Sequence, residues 1–89
     1  MVRLKRIVLD VLKPHHPTSL EFAQTIAGVG TDYGVYLTVT AVDERTETLQ
    51  IEVTGGAIDF EKVEAAISSM GGSLHSIDEV EVHSAADDD

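Results

Sequence analysis

The chain has no cysteine and no tryptophan, and the missing thiols remove several kinds of chemistry together. Without them there is no disulfide framework, no thiolate nucleophile, no iron–sulfur cluster and no thiolate zinc site. Aromatics are scarce too. Phe22, Tyr33, Tyr36 and Phe60 are all there is, too few on strands for a sheet that stacks RNA bases. Asparagine is absent, so an acylphosphatase-like loop, which cradles an anion with Arg and Asn, cannot be assembled. Basic side chains number six against sixteen acidic ones, a net charge of −10. That balance repels phosphate and argues against nucleic acid or an anionic membrane as partner. Long apolar runs are missing as well. Arg3, Lys5 and Arg6 precede Ile7, Val8 and Leu9, but Asp10 ends the run, which is too short for a signal peptide or a membrane span. A soluble cytoplasmic protein is the expectation.

What is present is enough to fold. Eighty-nine residues, 43% hydrophobic and 25% charged, make one small domain with ordinary globular composition. The domain is expected over residues 1–83, with residues 84–89 as an acidic disordered tail that has nothing to bury. Charge is uneven along the chain. Residues 1–14 carry four of the basic side chains and one acid, whereas residues 15–89 carry two basic and fifteen acidic ones. Such an acidic body suits concentrated salt, where counterions screen the self-repulsion of the compact state, and a halophilic origin is expected.

Apolar periodicity predicts six elements. Leu4 to Leu12 places Ile7, Leu9 and Val11 on one side and Arg6, Val8, Asp10 and Leu12 on the other, as in a strand near the middle of a sheet. Pro14 and Pro17 end it, and Thr18 with Glu21 has capping-box spacing for a helix from Ser19, stopped by a left-handed Gly28 or Gly30. Val35 to Ala41 alternates at period two, and so do Leu49, Ile51 and Val53 after the polar break Asp43–Thr46, giving a hairpin. Asp59 caps a second helix with Ile58 and Val63 at staple spacing, and Gly71-Gly72 ends it. Leu74 to Val82 is a last strand in which Asp78-Glu79 shifts the alternation and marks a bulge. Strand, helix, strand, strand, helix, strand is the split βαβ order of an α+β, ferredoxin-like βαββαβ fold, a four-stranded antiparallel sheet with two helices on one face.

The fold hosts unrelated activities, so the residues decide. His15, His16 and His75 are expected near one end of the sheet with Glu47, and imidazoles with a carboxylate suit a transition metal. The plain alternative is solvated loop histidines and a half-buried strand histidine. Asp10 lies inside an apolar central strand, where a carboxylate needs a partner. Arg6, Lys13, a second subunit or a hard cation could supply it. Asp78 and Glu79, on the neighbouring strand, offer further hard oxygens, which favour calcium or magnesium over zinc; otherwise they are solvated. A Ser76, His75 and Asp78 arrangement lacks both strand geometry and an oxyanion hole.

Val8-Leu9-Asp10-Val11-Leu12-Lys13-Pro14-His15, the helix start Ile58-Asp59-Phe60-Glu61 and Gly71-Gly72-Ser73-Leu74-His75-Ser76-Ile77-Asp78-Glu79-Val80 together resemble the small archaeal family known as domain of unknown function 211. The resemblance covers nearly the whole chain. It implies a ferredoxin-like fold, an archaeal cytoplasmic origin and self-association, with rings and calcium among its implications, and no established activity. Matching positions are Asp10, Lys13, Pro14, His15, His75, Asp78 and Glu79. His16, the Gly28–Gly34 segment and the acidic tail depart from the pattern.

These readings converge on a non-enzymatic homo-oligomer that binds a small ligand or a cation, calcium or magnesium, at Asp10, Asp78 and Glu79. Its expected partner is a second copy of itself, through the uncovered sheet face or the sheet edges. The alternative is a small hydrolase or isomerase using His75 and Asp78.

Overall fold

A computed structural model describes residues 1–84. Its elements are β1 (Val2–Pro14), α1 (Ser19–Ala27), β2 (Gly34–Val42), β3 (Thr46–Thr54), α2 (Phe60–Ser69) and β4 (Ser73–Ser84). The strands form one antiparallel sheet in the order β2-β3-β1-β4, so β1 and β3 are central and β2 and β4 are edges. This is the ferredoxin-like arrangement expected from the element order. β4 extends through Ser84, one residue into the segment expected to be a tail. The remainder of that tail, residues 85–89, lies outside the described residues.

The period-two pattern sorts the two faces. Ile7, Leu9 and Val11 pair with Val53, Ile51 and Leu49, and all six are buried. Phe22 and Ile26 of α1 and Val63 and Ile67 of α2 close over them to form the core. Each such side chain removed from water contributes roughly 1.5–3 kcal/mol. On the other face, Arg6, Val8, Asp10 and Leu12 share a surface with Gln50 and Glu52, which no helix covers.

Local signals fix the helix boundaries. Thr18 and Glu21 form the reciprocal capping box at the start of α1. The Asp59 side chain accepts the backbone N–H of Lys62, while Ile58 and Val63 both join the core, completing the staple. One expectation fails: Gly28 ends α1 in a right-handed conformation, φ −73°. Its N–H reaches the Gln24 carbonyl at 3.0 Å, so the turn closes without a left-handed residue. Gly30 has a different reason to lack a side chain, since a Cβ there would sit 2.3 Å from the Tyr33 ring. Gly71, at φ +83°, supplies the left-handed turn after α2.

β4 carries two irregularities that the pairing locates. Val8 faces Glu79 and Leu9 faces Ile77, leaving Asp78 as the extra residue of a bulge, as the broken alternation predicted. Asp10 faces Ser76 and Val11 faces Leu74, so His75 is a second extra residue.

Candidate functional site

Three polar clusters carry the chemistry, two on the open face and one at the end of the sheet. In the first, the Arg6 guanidinium bridges two carboxylates. It pairs with Glu52 on β3 and reaches Glu79 on β4 at 2.9 Å. Hydrogen bonds to Glu52 and then to Glu79 hold the arginine above its ordinary pKa. Val8, 3% exposed, lies in the same depression as this bridge, together with Tyr36, Thr38 and Gln50. Val8 is therefore not the exposed apolar residue that an uncovered face suggested. Tyr36 and Leu12 do remain exposed.

The second cluster is a cleft of about 300 Å³ lined by Asp10, Val11, Leu12, Thr48 and His75. Asp10 is half-buried, and among the described residues no basic side chain pairs with it. The ion pair expected from Arg6 or Lys13 is not formed. Arg6 is occupied by Glu52 and Glu79, and Lys13 projects toward the opposite face, to Glu47. Asp78 sits at its bulge and accepts the Ser76 hydroxyl at 2.7 Å. Asp10, Asp78 and Glu79 thus have three different surroundings. No group of three or more His, Asp or Glu side chains placed to hold a metal occurs among the described residues. His75 shares its cleft with Asp10, and no described hydrogen bond joins it to Asp78.

The third cluster holds the end of the sheet together. Lys13 continues the helix-side row Ile7, Leu9, Val11, so the strand period buries it; its side chain is 0% exposed. The ammonium donates to the Pro14 and Pro17 carbonyls, both at 2.8 Å, and to Glu47 Oε1 at 3.0 Å. The His15 carbonyl is a fourth, longer acceptor at 3.4 Å, so every N–H of the ammonium has a partner. Glu47 Oε2 meets His15 Nδ1 at 2.9 Å, and His15 Nε2 meets the Glu44 carbonyl at 3.0 Å. Both partners are acceptors, an arrangement that favours the doubly protonated imidazolium. The bonds to Glu47 and then to Glu44 raise the His15 pKa, and those from His15 and then Lys13 lower that of Glu47.

His15 and Glu47 are therefore neighbours, as the topology suggested, while His75 lies apart in the open-face cleft. The sequence reading missed the burial of Lys13. Its odd-numbered position after Ile7, Leu9 and Val11 was the available signal.

Fold and clusters together define a small α+β protein with ferredoxin-like topology, an acidic open face and a lysine-centred brace at one end. The family comparison is consistent with that class. The chain belongs to the DUF211 family, described as Uncharacterized ArCR, whose family model matches residues 5–85. It is similar to the uncharacterized protein MJ0319 of Methanocaldococcus jannaschii, 40% identical over 77 residues, which is 86% of this chain and 79% of that protein. No described helix is long and apolar enough to cross a membrane.

Proposed function

We propose that this protein is a non-enzymatic, cytoplasmic homo-oligomer that binds a small ligand or cation, with edge strand β4 as its subunit contact. One observation carries the self-association. Ile77, Val80 and Val82 are 48%, 60% and 50% exposed, although they lie opposite Leu9, Ile7 and Leu4 on the helix-bearing side of the sheet. Leu74, at the start of β4, packs against the core, whereas the rest of the strand presents an apolar row beside a free backbone edge. Such an edge is a template for another strand, and soluble monomers usually blunt it. A second copy would satisfy the backbone groups and cover the row in one step.

Charge supports the cation part of the reading. Asp10 has no described basic partner, Asp78 bonds only a hydroxyl, and a calcium or magnesium ion would draw its remaining oxygens from an adjoining subunit. Glu79 is the weakest of the three ligands, because Arg6 already engages it.

The test is light scattering coupled to size exclusion, at low and molar KCl, on wild type and on an Ile77→Lys/Val80→Lys variant. The reading expects an oligomer in the wild type and a folded monomer in the variant. A wild-type monomer at both salt concentrations overturns it.

A further inference from the structure

We propose that the cleft between Asp10 and His75 is a binding site for a small organic cation, a primary ammonium on a short alkyl chain. This deepens the small-ligand part of the reading above and rests on it. The argument starts with Asp10, a half-buried carboxylate on a central strand whose nearest candidate cations are both committed elsewhere. Arg6 is held by Glu52 and Glu79, and Lys13 by Glu47 and two carbonyls on the far side of the sheet. A half-buried carboxylate without a basic partner gains from a counter-ion placed beside it.

The rest of the cleft specifies which cation. The β4 bulge at His75 breaks the ladder beside Asp10, and the imidazole lines the same cleft as the carboxylate. Bulges commonly re-aim a side chain beside a site in this way. Thr48 adds a hydroxyl from β3, while Leu12 supplies apolar wall; Val11 contributes backbone to the lining, since its side chain is buried in the core. An ammonium has three N–H donors, and the Asp10 carboxylate, the Thr48 hydroxyl and an imidazole nitrogen of His75 can serve as its three acceptors. The apolar wall takes the carbon chain. At about 300 Å³ the cleft lies at the lower end of small-molecule sites, roughly 300–1,000 Å³, so the chain is short. Asp10 disfavours an anion, and within one subunit the cleft offers a hard divalent ion a single carboxylate. The net charge of −10 raises the local concentration of cations around the molecule.

The probe is n-butylammonium chloride, titrated into full-length isotopically labelled protein and followed by amide and imidazole NMR shifts. Sodium butanoate and n-butanol are the charge controls, and calcium chloride is a separate arm. Expected are saturable shifts confined to Asp10, Leu12, Thr48 and His75 with the ammonium, none with butanoate, and at least tenfold weaker binding by Asp10→Asn. His75→Gln, which keeps an acceptor, should weaken binding less. Equal binding of butanol, shifts spread over the whole acidic surface, or unchanged affinity in Asp10→Asn would overturn the proposal. Calcium shifting Asp10, Asp78 and Glu79 while the amine does not would overturn it in favour of the hard-cation site. If Asp10→Asn fails to fold, the four wild-type titrations still decide. Translational diffusion measured on the same samples reports the oligomeric state, so failure of self-association is distinguishable from failure of the ligand site.

Discussion

Replacing Lys13 by methionine keeps an unbranched apolar stem, one atom shorter, and removes the charge with its donors. The side chain is wholly buried and its ammonium holds Glu47 and the Pro14 and Pro17 carbonyls at 2.8–3.0 Å. Breaking a buried ion pair by deleting one partner typically costs about 3–5 kcal/mol. Pro14 ends β1 and Pro17 lies on the loop after it, both only half-buried, so water can replace part of the lost bonding and the expected loss is at the lower end, about 3 kcal/mol. A domain of 89 residues has roughly 4–13 kcal/mol in total, and each kcal/mol shifts the melting temperature of so small a domain by about 4–8 °C. Thermal unfolding followed by circular dichroism should therefore show a drop of roughly 12 °C or more. The double variant Lys13→Met/Glu47→Gln should lose less than the sum of its single losses, because it removes the stranded carboxylate charge. A single-variant loss below about 1 kcal/mol, or strict additivity in the double variant, would refute the brace.

Further expectations follow from the same contacts. The raised His15 pKa contributes stability that is complete below the ordinary imidazole value of 6.5 and is lost as pH rises through the raised value. The lowered Glu47 pKa contributes stability present above 4.5 and lost as pH falls through the lowered value. Denaturation midpoints against pH should thus decline on the alkaline side in wild type and not in His15→Gln; matching alkaline limbs contradict the His15–Glu47–Glu44 geometry. Melting temperature should rise from low to molar KCl as the net charge of −10 is screened, and a flat or falling trend would remove the case for salt adaptation. Thr18→Ala, which deletes the cap of α1, should cost about 1 kcal/mol in urea unfolding; no change would mean that solvent replaces the cap without loss.

Much of the fold was legible because this chain states its periods cleanly. The alternation through Ile7, Leu9 and Val11 and through Leu49, Ile51 and Val53 assigned both central strands and their faces, and Thr18-x-x-Glu21 and Ile58-Asp59 marked the helix starts. The bulge at Asp78 was visible as a break in alternation. His75 was not recognised as a bulge, because a register skip depends on the partner strand, which one strand's own pattern does not contain. The Arg6 bridge was hidden for a similar reason: its two carboxylates lie 46 and 73 positions away, and side-chain choice among several acids is settled only by three-dimensional geometry. Lys13 shows the opposite case. Its place in the apolar row was available, but the strand was read as ending at Leu12, one residue short of it, whereas β1 runs to Pro14.

In the proposed assembly a second copy of the chain covers the exposed row on β4. Native mass spectrometry of protein purified without chelator reads subunit number and retained ions together. Expected is a species at an integer multiple of the 9.6 kDa chain that collapses to the single-chain mass in Ile77→Lys/Val80→Lys. A wild-type spectrum holding only the single-chain mass would contradict it.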